Sequence, residues 1–199
     1  MKKAYLIALL SLALLALAWT VTLRSQDPAD SLPAGFASEP LGGEFSVLTA
    51  AGEKQLKDFR GKGVVLYFGY RSCPDICPTT LGFTAAALKQ LDEATRDKLQ
   101  VIFYSVDPER DTPALVSEYA AYFDPTFIGG TNTREEIDRS VADYGAFYRI
   151  LESDSSMGYL VDHSARLYLI DPQGKLAGHI EHGTPPNEIA ERLKSLVAS

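Results

Sequence analysis

Apolar and polar positions along the chain fall into three regimes. Residues 4–23 are apolar except for Ser11, Thr20 and Thr22, a run that matches the roughly 20 residues a helix needs to cross a bilayer. It exceeds the apolar core of about 7 to 15 residues usual in a cleaved signal peptide. Residues 1–24 therefore read as an uncleaved signal anchor, although Ala16-Leu17-Ala18 resembles a cleavage site. Lys2 and Lys3 precede the run and should stay cytoplasmic, which places the C-terminal body beyond the inner membrane, in the periplasm of a Gram-negative cell. Residues 25–43 form the second regime. They carry Asp27, Pro28, Asp30, Ser31, Pro33, Gly35 and Pro40 with no apolar period, and predict a flexible tether.

The third regime, 44–199, has the alternation of a folded domain. Short runs at 45–49, 64–69, 101–106, 167–170 and 176–180, several rich in β-branched or aromatic residues, predict strands. Helical spacing marks 79–94, 113–123, 134–144 and 186–197. Thr112 before Pro113 supplies a capping hydroxyl and a first-turn proline, and Thr133 three residues before Glu136 predicts a capping box. Asp171-Pro172-Gln173-Gly174 has turn chemistry and joins the last two strands as an antiparallel hairpin. This element order predicts an α/β domain with a thioredoxin-like central mixed sheet flanked by helices, though other α/β folds share it.

Composition changes this picture little: 46% apolar and 23% charged residues in 199 suit one domain with extras. Charge is more informative. The chain carries a formal −7, and removing 1–24, with three bases and no acid, leaves the body more acidic still. Such a surface repels phosphate backbones and argues against nucleic acid as a partner.

Candidate chemistry gathers where strand 64–69 ends, in Tyr70-Arg71-Ser72-Cys73-Pro74-Asp75-Ile76-Cys77-Pro78. A proline after each cysteine disfavours helical geometry there, so the helix is expected to start at Pro78 with both sulfurs in the preceding loop. The positive end of that helix and Arg71 would stabilise a thiolate, the form that binds metal or attacks a disulfide. Three residues separate the thiols, so the loop can close a disulfide or splay the sulfurs around an ion. A purely structural bridge is the plainer alternative, but across so short a loop it removes little chain entropy.

Of three histidines, His163 stands in Val161-Asp162-His163-Ser164, just before strand 167–170. In a thioredoxin-like arrangement the connection entering that strand faces the thiol loop. His179 and His182 are expected to face solvent. Two thiolates and an imidazole form a soft three-donor set that suits Cu(I) and can hold Cu(II); structural zinc would want a fourth ligand. Met157 is a conceivable thioether donor, but Glu152 to Gly158 has loop composition. Asp107, in Val106-Asp107-Pro108-Glu109-Arg110-Asp111-Thr112-Pro113, is first of all a turn and capping residue, yet like Asp75 and Asp162 it could line the crevice and tune a ligand. Tyr119, Tyr122 and Phe123 are expected to serve packing.

Taken together, Tyr67-Phe68-Gly69-Tyr70, Cys73-Pro74-Asp75-Ile76-Cys77-Pro78, residues 106–112, residues 131–137 and Val161-Asp162-His163 resemble the Sco/SenC family of cytochrome c oxidase assembly proteins, over most of residues 40–199. The resemblance implies a thioredoxin-like fold, an inner-membrane anchor, and copper held by Cys73, Cys77 and His163. It implies one of two jobs: delivering copper to the dinuclear centre of oxidase subunit II, or keeping the cysteines of that centre reduced. Arg71-Ser72 departs from the threonine and aromatic or histidine that family members often carry before the first cysteine. The departure bears on client recognition and redox tuning. A metallochaperone is a binding protein rather than a turnover enzyme. The main alternative, a periplasmic thiol-disulfide oxidoreductase, would use Cys73 and Cys77 but has no evident need of His163. A peroxidase of peroxiredoxin type would want a threonine three residues before the attacking cysteine, where this chain has Tyr70.

Overall fold

Strand β3, Gly63–Gly69, is buried on every residue and organises the domain. A strand covered on both faces reads as a continuous apolar run, which is the character of Val64 to Phe68. The structure is a computed structural model that describes residues 41–155 and 158–198. The expected anchor, most of the expected tether and Met157 lie outside the described residues. Among the described residues no helix is long and apolar enough to cross a membrane.

A small hairpin, β1 (Ser46–Thr49) with β2 (Gly52–Gln55), opens the domain and leads through a 3-10 turn into β3. Helix α1, Ile76–Leu88, follows β3, then a short α2, Glu93–Arg96, and β4, Leu99–Ser105. Helix α3 (Pro113–Phe123), β5 (Ile128–Gly130) and α4 (Arg134–Asp143) come next. The strands β6 (Tyr148–Ser155) and β7 (Gly158–His163) precede β8 (Arg166–Ile170), β9 (Leu176–Glu181) and the closing α5 (Pro186–Ala198).

The main sheet has five strands in the order β5-β4-β3-β8-β9. Strand β3 pairs parallel with β4 and antiparallel with β8, so the sheet is mixed and β3 lies at its centre. One face carries Phe68 and Tyr104, packed with Tyr144 at the end of α4, Tyr168 and Phe45. The other carries Tyr67 and Phe103, packed with Tyr119 of α3 and, on the far side of Gly69, with Cys77 of α1. Helices thus cover both faces, the α/β arrangement expected. Strands β6 and β7 pair with each other in a separate two-stranded sheet.

Several boundaries differ from expectation. Helix α1 starts at Ile76, not Pro78, because Pro78 falls among the first-turn positions whose N–H has no helical partner in any case. It ends at Leu88 rather than reaching 94; the Asp92 carboxylate accepts from the Thr95 N–H at 2.8 Å and starts a separate turn. The span from Glu152, expected as a loop, belongs to β6 as far as Ser155. Helices α3 and α4 start behind Thr112 and Thr133, whose side chains cap them; the box expected at Thr133 is half made, because the Thr133 N–H donates to Asn132 Oδ1 at 2.8 Å and Glu136 pairs with Arg139.

Candidate metal centre

Three elements converge where β3 ends. Cys77 sits in the first turn of α1 and is fully buried; Cys73 lies in the preceding loop and is partly exposed; His163 is the last residue of β7 and is buried. Their donor atoms all lie within 4.8 Å of one another. Cys77 Sγ stands 3.3 Å from His163 Nε2, and the Cys77 N–H points at Cys73 Sγ at 3.4 Å. Donors around one ion at about 2.0 to 2.3 Å are themselves about 3.5 to 4.5 Å apart, so the spacing fits a shared ion. His163 Nδ1 lies 3.2 Å from the Ser164 carbonyl, which can only accept; a ring proton on Nδ1 satisfies that carbonyl and leaves Nε2, the nitrogen nearer the sulfurs, as the atom to bind an ion.

The scaffold leaves the sulfurs little freedom. A Cβ on Gly69 would meet Cys77 Sγ and the Phe103 ring at 2.7 Å, so only glycine lets α1 approach β3 this closely. The thiol loop is tied from below by Asp111, fully buried, whose carboxylate accepts from the Arg71 N–H at 2.8 Å and the Ser105 hydroxyl at 2.5 Å. Tyr67 and Tyr70 present T-shaped ring contacts to the His163 imidazole at 6.1 and 5.8 Å.

The two thiols are electrostatically unlike. The Cys73 thiol is lowered to about 3, first by hydrogen bonding from Cys77, then, against the opposing effect of burial, by contacts with the His163 ring and with the Cys77 and Asp75 amides. Burial pushes Cys77 well up, and the neighbouring Cys73 thiolate adds to it. The dithiol thus gives up one proton readily and holds the second between the sulfurs. The helix amides contribute as expected, but Arg71 does not. Its Nε lies 3.5 Å from Asp111, so its charge is directed at a buried carboxylate rather than at Cys73.

The other expected residues have partners of their own. Asp75 is exposed and accepts from Thr79 at 3.3 Å, and Asp162 pairs with Arg149 at 3.1 Å. Asp107 is buried but faces Arg110, at 2.5 Å, and the Tyr159 hydroxyl, at 2.5 Å, not a sulfur. His179 and His182 are both exposed, as expected, the first beside Glu181 and the second sharing a 2.8 Å hydrogen bond with Thr80. Tyr119 and Phe123 pack as expected, but Tyr122 is 85% exposed. Asp111, Arg110 and Tyr159 had escaped sequence reasoning. A buried acid inside turn chemistry looks like a cap, and the 49-residue separation of Arg110 from Tyr159 leaves no local signal.

Beside the donors opens a cleft of about 300 Å³, walled by Tyr70, Pro74, Ile76, Leu151, Leu160 and Val161, with Asp75 and Asp162 also lining it. The larger grooves along β9 and α5 contain neither thiol.

A family model described as SCO1/SenC matches residues 34–198. The chain is 37% identical to human "Protein SCO1 homolog, mitochondrial", over 77% of this chain and 52% of that protein, so it spans about half the length of that relative. It is 38% identical to "SCO2-like protein" of Rickettsia felis, over 77% of this chain and 76% of that one. Among solved structures, Arabidopsis thaliana ScoI with copper bound superposes with a TM-score of 0.74 at 35% identity, over 79% of this chain and 98% of that chain.

Proposed function

The chain belongs to the SCO1/SenC family, and from that premise we propose that it is a copper-binding assembly factor whose Cys73, Cys77 and His163 hold the ion for a cytochrome c oxidase copper client. The observation that carries the reading is the convergence of two sulfurs and one imidazole nitrogen within 4.8 Å. Soft thiolates with one imidazole favour Cu(I) and tolerate Cu(II). Copper here is cargo rather than a resident cofactor. Three protein donors leave a further position at which a client thiolate can bind, and the cleft beside Cys73 gives it access. The client is oxidase subunit II, with its dinuclear copper centre, reached from the periplasmic side by a body tethered to the inner membrane through residues 1–24. The chain acts as a binding protein, not a turnover enzyme.

A second reading, reduction of the client's cysteines, draws on the same pair. Cys73, ionised and partly exposed, is fit to attack a disulfide, and Cys77, buried and protonated, is fit to resolve the mixed disulfide. His163 separates the two. His163→Ala in the full chain, purified in detergent, should weaken Cu(I) by at least about 100-fold in chelator competition and leave reduction of a model disulfide within about twofold. Unchanged copper affinity would remove His163 from the donor set. Absent copper binding in the parent chain, with fast disulfide exchange, would give the site to redox chemistry.

A further inference from the structure

His163 reaches the sulfurs from a hairpin, β6–β7, that shares no sheet with the thiols. Two clusters fix the hairpin against the main body: Arg134 and Asp138 of α4 hold Tyr148 of β6, and Arg110 holds β7, the strand that carries His163. The Arg110 Nε donates to the buried Asp107 carboxylate at 2.5 Å and its Nη1 to the Tyr159 carbonyl of β7 at 2.8 Å. Its guanidinium lies 3.7 Å from the Tyr159 ring centroid, while the Tyr159 hydroxyl returns to Asp107 at 2.5 Å. The same guanidinium stands 5.6 Å from the Tyr70 ring, whose edge contact with the His163 imidazole is 5.8 Å between centroids. Arg110 is thus connected to His163 twice, along β7 from Tyr159 and across the Tyr70 ring.

We infer that Arg110, braced by Asp107 and stacked on Tyr159, is a positioning residue that sets His163 for the metal ion. The inference rests on the copper reading of the site. Arginine suits the task because its planar fork bonds two acceptors while its face stacks on an aromatic ring; lysine can do neither together. The thiols need no such brace, since β3, α1 and Asp111 hold them. Losing Arg110 should therefore loosen the imidazole and spare the sulfurs.

The test is a double-mutant cycle on the full chain in detergent, with Cu(I) in chelator competition as one readout and the alkylation rate of Cys73 as the other. Arg110→Met should weaken Cu(I) by about 10- to 100-fold, the range usual for residues behind a metal ligand, with alkylation unchanged. In the His163→Ala background the same substitution should cost nothing further, since no imidazole remains to position. Equal losses in both backgrounds would mean that Arg110 serves the fold at large and would overturn the inference, as would wild-type affinity in Arg110→Met. If His163→Ala itself binds copper like the parent, the donor assignment fails instead. Should Arg110→Met not fold, Tyr159→Ala and Tyr159→Phe decide. Alanine should lose affinity about tenfold and phenylalanine, which keeps the stack, should nearly retain it; parental affinity in both overturns the inference.

Discussion

The two halves of the metal centre are built by opposite means. The sulfurs follow directly from the central strand of the five-stranded sheet, where β3 is buried throughout and α1 is pressed onto Gly69. The imidazole belongs to a two-stranded hairpin that carries two of the exposed large apolar side chains, Ile150 and Leu151, with a third, Phe147, just ahead of it. Apolar burial fixes the first half; the second, with Val161 alone of the hairpin's apolar residues fully in the core, relies on charged and aromatic contacts of Arg110 and Asp107 with Tyr159 and of Arg134 and Asp138 with Tyr148. On the copper-delivery reading, a centre that holds and then releases an ion gains from this division, because the donor on the separate hairpin can move without disturbing the dithiol.

The comparison breaks most completely in the core. Phe68 is fully buried and packs against Tyr104, Tyr144 and Tyr168. Phe68→Ala should cost about 3 to 5 kcal/mol through lost transfer energy and an unfilled cavity. Urea unfolding of the domain should report the loss, and because β3 carries the thiol loop, copper binding should fall away at the same urea concentration as the fold. Retention of the dithiol site after the sheet has melted would contradict the dependence drawn here.

How much of this was legible in the sequence follows the same division. Strand β3 and helices α3 and α4 stood out because their signals are local: an apolar run buried on both faces, and a threonine before each helix. Strand β5 did not, since Ile128-Gly129-Gly130 has two glycines and no period. Nor did the hairpin, whose stretch from Glu152 to Gly158 has loop composition and whose strandedness comes from pairing alone. The three candidate donors stood out through the cysteine motif, the place of His163 before a late strand and the resemblance to Sco/SenC proteins, but their supports did not. Asp111 looked like a turn residue until burial showed what it ties down, and Arg71 looked like a neighbour of Cys73 until its partner proved to be Asp111.

A smaller effect sharpens the contrast within the dithiol. A free thiol near 9 is protonated at pH 5, whereas Cys73, lowered to about 3, is a thiolate there. From pH 7 to pH 5 an ordinary thiol should lose about 100-fold in alkylation rate, while Cys73 of the reduced, metal-free chain should stay within about threefold. The sign for stability follows. Between about 3 and 9 the unfolded chain binds a proton at Cys73 that the folded chain does not, so this residue's stabilisation is complete above the unfolded value and is lost as pH falls towards 3. Cys77, whose folded value is raised, works the other way: its contribution is present below the unfolded value and is lost as pH rises through the folded one. Cys73→Ser should flatten the acid limb of a stability profile measured by urea unfolding between pH 4 and 8. A limb as steep as the parent's would assign that dependence to other groups.

The least effect is expected on the hairpin's outer surface. Phe147 is 54% exposed, and its own main chain ties it to Ser164, just past β7: its carbonyl accepts from the Ser164 N–H at 3.0 Å and its N–H donates to the Ser164 hydroxyl at 2.9 Å. Serine at 147 keeps both bonds and gives up only partly exposed ring surface. Phe147→Ser should therefore change stability by no more than about 0.5 kcal/mol. Copper affinity should stay within about twofold, because the imidazole is placed by backbone pairing and by Arg110 rather than by the ring at 147. A tenfold loss of copper from this substitution would mean that the hairpin is held by its own apolar surface, and the division between a packed half and a clamped half would not stand.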